Sequence, residues 1–393
     1  MLFSSSRLKG CVALLLVSLT SWTSAAPVII PSPPQLAATG YLLIDAKTGE
    51  PLVEFNAEQR LPPASLTKLM TSYVAAQEIK RGTISREDRV RISVKAWRMG
   101  GSRMFIQEGT EVRLEDLLRG MIIQSGNDAS VALAEHIAGS EEAFADVMNQ
   151  YAASLGMSNT NFVNATGWPD ENHYTTAADL SKLTVSLINE FPEHYKMYSE
   201  RSFTYNNITQ ANRNKLLMRD SSVDGVKTGH TDAAGYCLVA SALRDDMRLI
   251  SVVMGTSGEE TRAVESQKLL TYGFRYFETA ALYQADESLK QVRVWGGRHE
   301  SIRLGIEEDM VLTIPRGSRD DLEAAVTVVD EVHAPFDQGE ALGELKVTLS
   351  DGKEILVPLV ALNGVQEAGF FAALWDTIML FFLKLTGGDP LAL

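Results

Sequence analysis

Ser65 and Lys68 stand three residues apart in the stretch Leu61-Pro62-Pro63-Ala64-Ser65-Leu66-Thr67-Lys68-Leu69-Met70. Three residues is a spacing at which side chains meet on one face of a helix. An amine there that loses its proton could take one from the hydroxyl and make a weak nucleophile usable without a histidine. Pro62 and Pro63 suit the first turn of a helix or the segment before it, which predicts a helix beginning close to Ser65 and running to about Lys80. The pair alone is ambiguous. Ser6 with Lys9 and Ser350 with Lys353 have the same spacing, and the plain reading of Ser65 is a helix N-terminal residue beside a solvated lysine.

Serine chemistry needs three more things: a proton donor for the leaving amine, groups that hold the substrate, and donors for the oxyanion. Ser125-Gly126-Asn127 is the only Ser-x-Asn in the chain, in a polar stretch between two helical patterns. Its hydroxyl could relay protons, and the Asn127 amide could orient Lys68 and a substrate peptide group. Lys227-Thr228-Gly229 lies just before a strand that starts near Tyr236, or on an edge strand of its own, where Gly229 would let a substrate backbone approach. Lys47-Thr48-Gly49 has the same letters and reads as a hairpin turn. One ordered choice alone places Ser-x-x-Lys first, Ser-x-Asn about sixty residues on and Lys-Thr-Gly about a hundred beyond.

In that order the three motifs resemble the set carried by penicillin-binding proteins and class A β-lactamases. The strings Pro63 to Met70 and Asp224-Gly225-Val226-Lys227-Thr228-Gly229-His230-Thr231 are similar to those of the low-molecular-mass D-alanyl-D-alanine carboxypeptidases, and the likeness covers nearly all of the mature chain. The resemblance implies Ser65 as nucleophile, Lys68 as base and Ser125 as proton donor to the leaving amine. It implies an oxyanion held between the backbone N–H groups of Ser65 and His230, and a terminal carboxylate facing Lys227, Thr228 and the second cation Arg213. Two cations around one carboxylate give strong charge-assisted hydrogen bonds; a surface salt bridge is the plain reading of Arg213. Lys227, as a nearby like charge, would join burial in favouring the neutral form of Lys68. The implied partners are peptidoglycan stem peptides, β-lactams as covalent inhibitors and, through the tail, a membrane surface; no cofactor is implied.

Three rivals remain at this level. A class A β-lactamase uses a Glu-directed water for deacylation, but no Glu-x-x-Leu-Asn string occurs between Ser125 and Lys227, and Glu171 sits in a Gly- and Asn-rich loop. An endopeptidase shares the motifs. A non-catalytic wall-binding or membrane-scaffold protein would have no need of them all.

The elements that must position these residues follow from pattern and composition. The chain has 393 residues, 45% hydrophobic and 22% charged, and a formal charge of -14. That length predicts two domains, and the charge argues against a nucleic-acid partner, which requires clustered Lys and Arg. Arg7 and Lys9 before the apolar Val12 to Leu19 and the small residues Thr23 to Ala26 read as a signal peptide over 1–26, cut after Ala25 or Ala26. Its removal takes Cys11 and leaves only Cys237, read as a small core hydrophobe. The six histidines are scattered with no ligand pair at metal spacing.

The fold class expected is α+β: a penicillin-binding, transpeptidase-like domain over 27–281 with an antiparallel sheet built from both ends and helices packed on it. A strand pair over Tyr236 to Leu243 and Arg248 to Met254 and a helix over Thr261 to Thr279 belong to it. A small all-β domain over 282–364 follows, and then an amphipathic helix over 365–385. In that helix Phe370, Phe371, Leu374, Trp375, Ile378, Phe381, Phe382 and Leu385 repeat at helical spacing. A membrane span would put Asp376 near mid-bilayer at a cost of about 2.5 to 3.5 kcal/mol. A helix lying in the interface, with Asp376 facing water and the aromatics buried, is favoured over a span or a packed helix. The expected location is the periplasmic side of the cytoplasmic membrane.

Overall fold

The computed structural model describes residues 29–393; the stretch 1–26 expected to be a signal peptide, with Cys11, lies outside the described residues. A five-stranded antiparallel sheet carries the first unit. Strands β1 (Gly40–Asp45) and β2 (Pro51–Phe55) form a hairpin whose turn is closed by Gly49 N donating to Asp45 O at 2.9 Å. Strands β3 (Val223–Thr231), β4 (Gly235–Arg244) and β5 (Met247–Thr256) come from much later in the chain. The order β2-β1-β5-β4-β3 joins both ends of the unit at the β1–β5 pair, as expected, and leaves β3 on the edge.

Both faces of the sheet are covered, so its inner strands are apolar except for a few buried polar positions such as Asp45, Ser241 and Ser251. The pleat sends Cys237 and Val239 of β4 to one face and Leu238, Ala240 and Ala242 to the other. The first face shares one core with Leu69, Met70 and Val74 of α1 (Lys68–Arg81), Leu117 and Leu118 of α2 (Leu114–Ile123), Val131 and Leu133 of α3 (Asn127–Ala138) and Leu180 of α4 (Ala177–Glu190). The second packs on Leu269 and Leu270 of α5 (Glu259–Tyr276). Cys237 is thus a core residue, its thiol pushed up to about 11 by burial.

The segment at Ser65 differs from the expected helix. Ala64–Thr67 form a 3-10 turn, and α1 begins at Lys68. Leu66 N donates to Pro63 O at 3.1 Å, the i to i+3 closure of such a turn. Ala64 has φ 48°, which a continuous α-helix cannot contain. Ser65 and Lys68 still meet, because side chains three apart eclipse in a 3-10 turn.

Helix α5 stops at Tyr276, short of the expected Thr279, and passes directly into strand β6 (Phe277–Tyr283). The chain continues through β7 (Lys290–Arg293), β8 (Ser301–Gly305), β9 (Met310–Pro315), β10 (Glu323–Val328), β11 (Ala341–Thr348) and β12 (Glu354–Ala361). These form the sheet β7-β8-β12-β11-β10, while β6 pairs with β9. Strand β6 therefore runs across position 281/282.

Helix α6 (Phe370–Leu385) corrects the expectation for Asp376. The carboxylate does not face water: it accepts from Gly296 N at 2.9 Å and lies 3.9 Å from Arg293 Nη2. The backbone N–H replaces part of its hydration, and the nearby guanidinium adds charge attraction. Lys384 pairs with Glu331, and Leu380, midway between, is buried. These positions, four apart, make one stripe, and that stripe packs on the all-β unit. Phe370, Trp375, Phe381 and Phe382 remain exposed, and Phe371 is 84% exposed. No helix among the described residues is long and apolar enough to cross a membrane.

Candidate active site

The turn that displays Ser65 also delivers Lys68 into the core, where its side chain is 1% exposed. Lys68 Nζ stands 2.8 Å from Ser65 Oγ, 2.7 Å from Asn127 Oδ1 and 2.6 Å from Thr166 O. A neutral amine has two N–H groups and one lone pair. Asn127 and Thr166 accept the two, which leaves the lone pair for the Ser65 hydroxyl. Burial brings the Lys68 amine down to about 7, helped by the Arg213 guanidinium and opposed by Asp128 and Glu141. Arg213 is therefore the cation that adds most to burial at Lys68, and Lys68 and Lys227 disfavour each other's charge. Lys227 is itself held well below the usual lysine range, by burial first and then by Lys68, Arg213 and Arg262.

Ser125 and Asn127 lie on the tight connection between α2 and α3. Ser125 takes φ 68°, and Asn127 is anchored twice, N to Ser102 O at 2.7 Å and Nδ2 to Gly100 O at 2.8 Å. The buried Asp128 carboxylate accepts from the backbone of Met104, Phe105 and Ile106, so the 100–106 segment wraps this connection. Lys227 reaches across from β3, its Nζ donating to Ser125 Oγ at 2.9 Å and to Thr228 O at 3.1 Å. The three motifs thus converge on one point.

The second reading of Lys227-Thr228-Gly229, an edge strand of its own, is the observed one. On an edge strand, alternate backbone groups point away from the sheet and are open to an extended peptide. Gly229 also has a reason within the fold: a Cβ there would stand 3.0 Å from Pro63 O and 3.3 Å from Ala64 Cβ, so its bareness seats β3 against the Ser65 turn. His230 is exposed, its ring 3.9 Å from that of Tyr236. Arg213 is exposed beside the Ser125 loop, with Nε donating to Gln124 O at 3.0 Å. A cleft of about 510 Å³ opens beside the turn, lined by Pro63, Ala64, Gly167, Trp168 and Thr231; a cavity of about 650 Å³ against α5 holds none of the motif residues.

Sequence reasoning missed four supports. Thr166 contributes a carbonyl, which no residue type advertises. Glu141 holds that segment by accepting from Ala165 N at 3.1 Å. Arg262, reaching from α5, donates to Gly229 O at 3.0 Å. His173, read as one of several scattered histidines, is bonded through Thr67 to the Ser65 turn. Among the described residues no carboxylate hydrogen-bonds Ser65 or Lys68, and Glu171 is exposed.

A family profile described as D-alanyl-D-alanine carboxypeptidase matches residues 28–258, more than half of the chain. The chain belongs to this family. A second profile, described as the C-terminal domain of penicillin-binding protein 5, matches residues 277–367 of this D-alanyl-D-alanine carboxypeptidase family member. The chain is 43% identical to the D-alanyl-D-alanine carboxypeptidase DacA of Escherichia coli over 96% of its own length and 98% of the relative's. Penicillin-binding protein 5 from Haemophilus influenzae has a solved structure that aligns with a TM-score of 0.81 at 44% identity, covering 86% of this chain and 100% of that one. A D-alanyl-D-alanine endopeptidase of Escherichia coli is less similar, at 30% identity over 61% of this chain and 78% of that one.

Proposed function

We propose that the chain is a serine-type D-alanyl-D-alanine carboxypeptidase that removes the terminal D-alanine from peptidoglycan stem peptides and binds penicillin covalently at Ser65. The observation that carries this is the 2.8 Å approach of Lys68 Nζ to Ser65 Oγ with both amine hydrogens already assigned. Neutral Lys68 takes the Ser65 proton while Oγ attacks the carbonyl between the two D-alanines. The Ser65 and His230 N–H groups receive the oxyanion. Ser125 passes a proton to the departing amine and regains one from the Lys68 ammonium, the C–N bond breaks, and free D-alanine leaves an ester on Ser65. Water then hydrolyses the ester and restores the hydroxyl. Lys227, Thr228 and Arg213 face the substrate's terminal carboxylate, with Gly229 keeping their strand against the Ser65 turn.

In this reading the first 26 residues direct export and are removed. The mature chain then comprises a peptidase unit over 27–281, a β unit over 282–364 and a docking helix within 365–385. The exposed aromatic side of α6 lies in the outer surface of the cytoplasmic membrane, and burial of apolar area, at about 25 cal/mol per Å², supplies the binding. The enzyme works on the periplasmic side as a peripheral protein.

Incubation with a pentapeptide ending in D-Ala-D-Ala, followed by mass analysis, tests the activity. Loss of one alanine supports it. Cleavage only at a cross-link in a dimeric peptide makes the chain an endopeptidase, a reading weakened by the smaller share of the chain that the endopeptidase relative matches. No product from either substrate contradicts both.

A further inference from the structure

Ala64 shares its peptide group with Ser65, and that group is planar. The direction of Ala64 O therefore sets the direction of the Ser65 N–H. Two groups hold the oxygen. Thr67 Oγ1 donates to it at 2.8 Å. Gly167 lies against it so closely that a Cβ there would stand 1.7 Å away. The restraint has something to oppose, since Ala64 occupies a left-handed conformation that residues with a Cβ seldom adopt.

Thr67 is in turn fixed by His173. The imidazole Nε2 is 2.7 Å from Thr67 Oγ1, while Nδ1 accepts from Val163 N at 3.1 Å. A ring that accepts at Nδ1 carries its proton on Nε2 when neutral. That proton goes to the Thr67 oxygen, so the Thr67 hydrogen is committed to Ala64 O. The donations run one way, from Val163 through His173 and Thr67 to the peptide that carries the Ser65 N–H. His173 is 3% exposed and packs edge-on to Phe162, and burial brings it down to about 4 against the pull of Asp170, with Lys68 adding to the lowering. The ring is therefore neutral wherever Lys68 can act as a base.

We infer that His173 is a positioning residue for acyl transfer: through Thr67 it sets the Ala64–Ser65 peptide plane and aims the Ser65 N–H at the oxyanion. The inference rests on the Ser65 acyl-enzyme reading given above. His173 does not contact the nucleophile, and its influence falls on the bond-making step, because the oxyanion charge exists only there.

Penicillin acylation followed over a series of concentrations separates the dissociation constant of the first complex from the acylation rate constant. In His173→Leu the rate constant is expected to fall roughly 10- to 100-fold while the dissociation constant stays within about 2-fold. His173→Gln, whose amide N–H can reach Thr67, is expected to recover most of the loss, and Thr67→Val to repeat it. Should the leucine variant fail to fold, Thr67→Val carries the test, with its unfolding temperature as the check on integrity. A rate constant unchanged in a folded variant, a loss confined to the dissociation constant, or a glutamine no better than leucine overturns the assignment. If unaltered Ser65 does not label at all, the acyl-enzyme reading falls first and takes this inference with it.

Discussion

The Asn127 side-chain oxygen stands 2.7 Å from Lys68 Nζ, across 59 residues of sequence, and fixes where the lysine's lone pair can point. With Thr166 O on the other N–H, the amine has one direction left, toward Ser65. In the proposed mechanism Asn127 thereby acts as a director of the base. Asn127→Ala is expected to slow penicillin acylation by about 100-fold, at the lower end of what a positioned general base contributes. Stopped-flow acylation on variant protein with an unchanged unfolding temperature checks this.

The state of Lys68 predicts the pH dependence. A base held near 7 is protonated and idle below that pH, so the acylation rate should climb as pH rises through about 7. Burial is the main cause and Arg213 the next. Arg213→Gln removes a positive charge that disfavours the protonated amine, so the Lys68 pKa rises and the climb moves to higher pH. A pH–rate profile of penicillin acylation for both proteins checks the direction, and penicillin concentrations well above saturation keep any loss of carboxylate binding out of the comparison.

Two buried histidines predict acid sensitivity of the fold. Burial brings His173 to about 4 and His194 to about 3, His194 with a further push from Arg86, against an ordinary value of 6.5. Between 6.5 and the folded values the unfolded chain binds more protons. The stabilising contribution is complete above 6.5 and is lost as pH falls, at about 1.4 kcal/mol per pH unit for each histidine. Urea unfolding measured from pH 7 to pH 4 is expected to show this slope, and His194→Asn to reduce it.

The outer side of α6 predicts lipid binding with little salt dependence, because its two charges, Asp376 and Lys384, are already engaged with the all-β unit. Burial of a phenylalanine contributes roughly 2 kcal/mol. The double substitution Phe371→Glu and Phe382→Glu is expected to lower affinity for zwitterionic vesicles at least about 100-fold and to leave hydrolysis of a soluble pentapeptide unaltered. Vesicle co-sedimentation at low and high salt checks both statements.

Much of the site was legible because its chemistry is written in side chains at fixed spacings. Ser65, Lys68, Ser125, Asn127 and Lys227 are brought together as their order implied. What escaped was what spacing cannot encode. The Thr166 carbonyl is a backbone atom, and the bond between His173 and Thr67 spans 106 residues with no motif around either. The sheet was readable from the apolar strands β4 and β5, whereas β8, with exposed Arg303 between buried Ile302 and Leu304, is too short to announce itself. Asp376 is misplaced in the sequence reading for a similar reason: the helical periodicity gives its stripe, but the Gly296 N–H that donates to it belongs to a bend after β7, 80 residues away.

The most direct test of the central claim, that a neutral Lys68 is the base for Ser65, is the rate at which labelled penicillin acylates folded Lys68→Ala protein. The account predicts a fall of roughly 1000-fold or more with Ser65 intact. Acylation at a near-normal rate would contradict it.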